Sequence, residues 1–305
     1  MFLFIFFTIQ VLDSYFTKWW NLISDAYLTY VKIYFNDNEL LAFVITMYCL
    51  HHGIVSFYTF INYLFHRYHV FYQYKIRKED DNDYHLINIA FFDLIKRLFT
   101  SLPLWGVVYY ILKFSGCAFL EPLPTKETTL FHLLLLIMIT DFSYYWMHRW
   151  MHEVPWMYRI HKIHHEFKAT SAVGTLYAHP LETLFVTFGT VILGAILIAP
   201  HSFIFGLYYC LQLIEALEVH SGFIFPFSMI NQNSFFFFSA SRHDFHHSHN
   251  IGCYGRWTRF MDSWYQTDAE FEKWKQKQTH TIFPNSDLKE VFDFPLGSIT
   301  RGVQK

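Results

Sequence analysis

Eight histidines fall into three regular clusters: His148/His152, His161/His164/His165 and His243/His246/His247. The second and third clusters share one spacing, H-x-x-H-H. Imidazole titrates near neutrality and is the commonest metal ligand, so this regularity needs a chemical cause. It also constrains the fold. Two apolar stretches, Glu182 to Ala199 and Ser202 to Leu217, separate the second cluster from the third. If the clusters share one site, the chain has to leave it and come back.

In a helix, residues three and four apart lie on one face. His148 and His152 therefore point the same way, as do His161, His164 and His165 within their own segment. Pro155 between them predicts two helices or a kinked pair, not one rod. One such cluster alone reads equally well as surface histidines; three clusters with a repeated spacing point to metal. Eight imidazoles exceed the four ligands of one tetrahedral zinc, so two metals are indicated. Iron, zinc, copper and nickel all accept imidazole, so the metal stays open. Asp141, about two turns before His148, is a candidate for holding an imidazole tautomer, or equally a structural residue.

Of the 305 residues, 53% are hydrophobic, 22% aromatic and only 16% charged. Soluble domains carry about a quarter charged residues, so this balance predicts a membrane protein. A formal charge of −2 without a basic stripe argues against a nucleic-acid partner. Leu40 to Phe65, Leu98 to Leu120 (interrupted by Pro103) and Leu130 to Trp146 are candidate spans. The two later apolar stretches are either two crossings or one hairpin dipping into the bilayer. Four crossings, or two hairpins, put both histidine-bearing segments on one side. Residues 1–12 are too short to cross and read as an interfacial or re-entrant anchor, not a cleaved signal.

His51 and His52 lie inside the first span, where they are read as buried and hydrogen-bonded because neither cluster spacing occurs there. Tyr74 to Tyr84 is a solvent-facing loop whose Lys75, Arg77 and Lys78 suggest the cytoplasmic side. Arg149, Arg159, Lys162 and Lys168 assign the end of the Leu130–Trp146 span to that same side. Trp257 to Gln278 reads as one amphipathic helix packed on the rest, and the tail from Thr281 to Lys305, with Pro284 and Pro295, as a surface wrap. Cys49, Cys117, Cys210 and Cys253 show no C-x-x-C spacing and read as buried small apolar residues.

Five motifs occur in order: HRWMH, HKIHHE, YAHPLET, EVHSG and SRHDFHHSHNIGCYG. Together they resemble the fatty acid hydroxylase superfamily (the sterol desaturase family) of integral-membrane non-haem diiron enzymes. The match covers roughly Thr128 to Asp268 and is closest to the C-4 methylsterol monooxygenase branch. The resemblance implies an all-α integral-membrane bundle of about four spans, with a cytosolic histidine-rich domain holding a dimetal site. It divides the chain into a membrane region 1–127, a catalytic domain 128–268 and a cytosolic tail 269–305.

Carried over by position, the family's ligands fall on His148, His152, His161, His164, His165, His243, His246 and His247. His179 in AHP and His220 in VHSG match two further histidines that complete the metal shell. Glu166, Glu182 and Asp244 stand beside ligands as candidates to orient them. Arg242 replaces a histidine often seen before the third cluster in that branch. His249 is extra to the pattern and is left out of the ligand set.

The resemblance further implies two iron ions, with zinc able to take their place in isolated protein, and oxidation of a lipid C–H bond by O2. Its preferred substrate is the C-4 methyl of a sterol in sterol biosynthesis. Siblings with the same site are sterol C-5 desaturase, sterol side-chain hydroxylase or de-alkylase, and sphingoid or fatty-acyl hydroxylase. No flavin, nucleotide or haem-binding segment is recognisable, so electrons from NAD(P)H would arrive through cytochrome b5 or its reductase. The implied place is the endoplasmic reticulum membrane, multi-pass, with the histidines facing the cytosol. A rival from another class is a membrane zinc carrier, which would put its ligands near the bilayer midplane. These clusters instead fall outside the spans, among basic residues.

Overall fold

The computed structural model describes residues 2–77, 83–226, 228 and 237–282, with the backbone alone for 2–12, 187 and 278–282. The helices in order are α1 (Phe2–Phe35), α2 (Glu39–Arg67), α3 (Tyr84–Thr100), α4 (Leu102–Phe114), α5 (Lys126–Glu153) and α6 (Pro155–His161). A short α7 (Pro180–Glu182) runs through a π turn (Thr183–Gly189) into α8 (Thr190–Ile198). Then come α9 (Ser202–Val219), α10 (Ala240–His249), α11 (Phe260–Tyr265) and α12 (Ala269–Ile282). Among the described residues, β pairing is limited to two isolated bridges, Lys75 to Phe223 and Phe237 to Thr258.

Helix starts follow local chemistry. The Asn38 side chain accepts from Leu41 N, Asp83 from His85 N and Leu86 N, and Thr125 from Thr128 N, each satisfying amides that the first turn leaves bare. Pro103 sits in the first turn of α4, where its missing N–H costs nothing. The expected span from Leu98 to Leu120 is therefore two helices broken at Ser101. Pro155 likewise opens α6, directly after α5 ends, as its position predicts.

Among the described residues, four helices are long and apolar enough to cross a membrane: Glu39–Arg67, Lys126–Glu153, Pro180–Ile198 and Ser202–Val219. Their outward faces carry large apolar side chains such as Phe57, Met138 and Leu197, each at least 65% exposed. Water would penalise such a surface, and lipid tails would not. The fold is a helical multi-pass membrane bundle.

Contacts at the two ends fix the helix directions. At one end Glu39 accepts from Lys113 Nζ (2.5 Å) and Tyr109 OH (2.9 Å). At the other, Asn62 and His66 both donate to the Ser221 carbonyl at 2.9 Å. Helices α2 and α9 therefore run parallel, with Phe43 against Phe205 near their starts. Thr140 ties α5 to both neighbours, through the Tyr208 hydroxyl and the Thr190 carbonyl. The α3–α4 pair returns the chain after α2, and α7–α8 returns it after α5. Helices α2, α5 and α9 thus end on one side, and all three histidine clusters lie there.

The opposite side is crossed by α1, far longer than the anchor expected from residues 1–12. Trp20 Nε1 donates to the Pro124 carbonyl and the Tyr27 hydroxyl to the Phe119 carbonyl. Between the ends, Trp105, Leu112, Leu136, Ile204, Tyr208 and Leu217 form an apolar core joining α4, α5 and α9. Gly194 lets α8 approach α5: a Cβ there would stand 3.2 Å from Leu136 Cδ2.

Within this core His51 Nδ1 meets the Tyr209 hydroxyl and His52 Nε2 the Ser101 hydroxyl, both at 2.7 Å. Cys117 and Cys253 are buried as expected, whereas Cys49 is exposed on the outward face of α2. The stretch from Trp257 to Gln278 is not one helix, because Gln266 takes a left-handed conformation (φ 56°) between α11 and α12. Phe271 on α12 packs against Phe238, Phe245 and Cys253. Residues 78–82 of the polar loop and 283–305 of the tail lie outside the described residues.

Candidate metal centre

Helix α5 delivers His148 and His152, α6 ends on His161, and a following 3₁₀ turn holds His164 and His165. His220 caps α9, and α10 carries the third cluster. In space these histidines form two groups that cut across the sequence clusters. One contains His148, His152, His161, His165 and His246; the other contains His164, His220, His243 and His247. Within each group, one donor atom from every ring lies within 4.8 Å of the rest. The His165 and His247 rings, 4.6 Å apart, join the groups.

The grouping explains the repeated H-x-x-H-H spacing. In each copy the first and last histidines enter one group and the middle one enters the other. The two segments interleave.

Second partners fix the ring tautomers. Nδ1–H of His148 donates to Tyr254 O (3.1 Å), that of His164 to Tyr177 O (3.2 Å) and that of His246 to Gly252 O (2.6 Å). His247 donates to Phe167 O (2.8 Å), His220 to Ala216 O (2.7 Å) and His161 to the Glu182 carboxylate (2.8 Å). A carbonyl only accepts, so Nδ1 carries the proton and a neutral ring is left with a bare Nε2.

Burial keeps these rings neutral. It lowers His164 to about 4 and holds His161, His220, His243, His246 and His247 well below the ordinary value, with neighbouring imidazoles adding to the effect.

The ring nitrogens of each group face one another. Nε2 atoms of His164 and His220 are 3.1 Å apart, those of His220 and His243 2.8 Å, and those of His243 and His247 3.1 Å. In the other group His161 and His165 approach to 3.0 Å, while Nε2 of His152 and His246 and Nδ1 of His165 are buried without a partner. The Nε2 atoms of His164 and His220 are both bare, and lone pairs at that distance repel unless a cation sits between them. The residues fit that requirement, and each group could hold a metal ion. Imidazole donors suit iron, zinc, copper or nickel.

Several expected roles are corrected. His179 joins neither group: Pro180 opens α7, and His179 becomes its cap, Nδ1 accepting from Leu181 N (3.2 Å). Of the four carboxylates, Glu182 alone holds an imidazole. Asp141 accepts from Trp257 N (2.8 Å), Thr258 N (3.2 Å) and Thr258 Oγ1 (2.5 Å), tying α5 to the segment before α11. Asp244 accepts from Arg77 Nε (2.6 Å) and Thr170 Oγ1 (3.1 Å), which anchors α10 rather than a ring. Glu166 accepts from the Tyr177 hydroxyl (2.9 Å) near the surface.

Arg242 turns to α12, pairing with Asp268 (3.1 Å) and Glu272 (2.5 Å) over the Phe271 ring. His249 stacks on Phe245 (4.2 Å) outside both groups.

Other site residues carried no individual role in the sequence. Five of the ring partners are backbone carbonyls, which any residue can supply. Asp262, raised to about 6 by burial, accepts from Tyr254 N (2.8 Å) and Gly255 N (2.7 Å) and so shapes the turn that holds His148 and His246. Gly222 in VHSG has φ +79°, and a Cβ there would fall 2.6 Å from Thr170 O. The motifs marked these turns without revealing their use.

Two buried, interleaved imidazole groups at one end of a multi-pass helical bundle define a membrane protein with a polyhistidine site suited to two metals. The family model for fatty acid hydroxylase matches residues 133–267. The chain is 30% identical over 250 residues to a very-long-chain aldehyde decarbonylase of Oryza sativa subsp. indica, covering 81% of this chain and 91% of that one. It is 34% identical over 185 residues to methylsterol monooxygenase 1 of Rattus norvegicus, covering 60% and 62%. It is 33% identical over 190 residues to methylsterol monooxygenase 2-1 of Arabidopsis thaliana, covering 57% and 69%. No solved structure matches. The chain belongs to the fatty acid hydroxylase superfamily.

Proposed function

We propose that this protein is a membrane-bound non-haem diiron oxygenase that hydroxylates a lipid C–H bond with O2, and that the bond belongs to the C-4 methyl of a sterol. The observation that carries this reading is the pair of imidazole groups with bare, converging ring nitrogens. Two bound irons would supply the reductive activation of dioxygen and the abstraction of hydrogen from an unactivated C–H bond. The chain's own contribution is positional. Backbone carbonyls and Glu182 aim the Nε2 atoms of His148, His161, His164, His220, His246 and His247, and burial keeps the rings neutral.

Helices α5, α8 and α9 lead from their lipid-facing surfaces to the histidine end, so a lipid could reach the site without crossing water. Electrons would come from NAD(P)H through cytochrome b5 or its reductase, because the chain has no recognisable flavin or haem segment. Arg149, Arg159, Lys162 and Lys168 all lie at the histidine end, which supports a cytosolic orientation in the endoplasmic reticulum membrane.

A second reading takes a very-long-chain aldehyde as substrate, favoured by the longer match to the rice decarbonylase. Lipid profiling of cells lacking the protein separates the two. Accumulated 4-methylsterols support the sterol reading. Accumulated long-chain aldehydes with unchanged sterols remove it.

A further inference from the structure

Beside the four-histidine group lies a cavity of about 70 Å³. His164, His220 and His243 line one part of it, and Leu176, Val186 and Val191 another. The remaining wall mixes apolar residues with the polar side chains of Gln212, Glu215, Glu182 and Arg256, and some of those polar atoms have no partner within the protein. Gln212, 1% exposed, leaves both amide atoms without an aligned hydrogen-bond partner. Glu215 and Glu182 each leave one carboxylate oxygen in the same condition. Such orphaned groups are costly in a buried site and call for a partner.

These side chains are also held in place. Arg256 Nε donates to the other Glu215 oxygen (2.9 Å), and its Nη2 donates to the Gln212 carbonyl (2.9 Å). The guanidinium is itself fixed 5.1 Å over the Tyr144 ring. His161 holds the second oxygen of Glu182 (2.8 Å). The Tyr208 hydroxyl, engaged with Thr140, also lies near the Gln212 amide, though not aligned for a full hydrogen bond with it. Gln212 and Glu215 lie one turn apart on α9, on a single face.

We infer that Gln212, together with the free oxygen of Glu215, hydrogen-bonds a hydroxyl group of the lipid substrate, so that the oxidised carbon lies within a few bonds of that hydroxyl. This rests on the lipid-oxygenase reading and narrows its substrate class. Three orphaned acceptors and one orphaned amide NH2 match a group that both donates and accepts, as a hydroxyl does. The volume admits the reacting end of a lipid and leaves its apolar body among the helices. A 4-methylsterol meets the requirement, because its hydroxyl and its methyl stand on adjacent ring carbons. The middle of an unsubstituted acyl chain does not.

The test uses the metal-loaded full chain in lipid nanodiscs, with two probe pairs: a 4,4-dimethylsterol against its 3-deoxy analogue, and a long-chain 1-alkanol against the n-alkane. Equilibrium binding and kcat/KM are measured for wild type, Gln212→Leu and Gln212→Glu. Wild type should prefer the hydroxylated sterol by at least about tenfold to a hundredfold, the effect of leaving one buried polar group unpaired. Gln212→Leu should lose that preference with unchanged metal content and thermal stability, and Gln212→Glu, which keeps an acceptor, should retain part of it. Equal binding of sterol and deoxysterol by wild type overturns the inference, as does a preference that survives in Gln212→Leu. If neither sterol binds but the alkanol is preferred through Gln212, the sterol reading falls and the role of Gln212 stands.

Discussion

His201 and His247 are equally buried, 3% and 2% exposed, at opposite ends of the same bundle. His201 caps α9: Nδ1 accepts from Phe203 N (3.1 Å), and Nε2–H donates to the Glu121 carbonyl (3.0 Å). One donor and one acceptor are both used, and the ring is complete as it stands. His247 also commits one nitrogen, Nδ1–H to Phe167 O, but its Nε2 meets the Nε2 of His243 at 3.1 Å inside the four-histidine group. Burial does not separate a structural imidazole from a metal-binding one. What separates these two is that the second nitrogen of His247 converges with other ring nitrogens; an unpartnered nitrogen alone is not enough, since His52 and His66 also leave Nδ1 buried without a partner and join neither group.

The sharpest way to break this contrast is to remove each ring in turn. His247→Ala should abolish metal retention in the four-histidine group and reduce O2-dependent lipid oxidation by well over about a hundredfold, while membrane insertion persists. His201→Ala should leave metal content and activity per folded molecule unchanged. It should cost about 1–2 kcal/mol of stability through the lost cap and carbonyl bond. Metal analysis and thermal unfolding of the two variants side by side decide the matter; a His201→Ala protein that loses metal would erase the distinction.

A smaller effect separates the carboxylates. Glu182→Gln should weaken metal binding about tenfold to a hundredfold, because an amide holds the His161 Nδ1–H less firmly than a carboxylate. Asp141→Asn should lower thermal stability by disturbing Trp257 and Thr258, with metal affinity near that of wild type. Equal losses of affinity in both variants, measured by competition with a chelator, would contradict the assignment of Glu182.

The unequal fates of these carboxylates show where sequence reasoning ran out. Spacing alone singled out the three clusters, and family resemblance was needed to single out His220. What spacing could not show was how H-x-x-H-H divides between two groups, since that depends on α6 and α10 facing each other across the site. Adjacency in a motif also misled. Glu166 and Asp244 neighbour ligands in the chain but point to Tyr177 and Arg77. The carbonyls of Tyr254, Gly252, Phe167 and Ala216 were invisible because a backbone acceptor leaves no residue signature. In the fold, the candidate spans were legible as apolar stretches, whereas the break at Ser101 and the length of α1 depended on local capping and on packing against residues 118–126.

The smallest expected effect is on pH dependence. Burial lowers the His201 pKa below its ordinary value. The unfolded chain takes up a proton near pH 6.5, where the folded ring stays neutral. The stability contributed by the neutral ring is therefore present above about pH 6.5 and lost as the pH falls below it. His201→Ala lacks that dependence, so its melting-temperature deficit relative to wild type should narrow from about pH 7.5 to about pH 5. A constant deficit would mean that His201 titrates like an exposed ring.

The most direct test of the central claim is metal stoichiometry per chain, by elemental analysis of protein purified in detergent. Two tightly held metals in wild type, falling to one in His247→Ala and to one in His152→Ala, is the predicted result. A single metal in wild type, or an unchanged content in both variants, would contradict a site built from two interleaved imidazole groups.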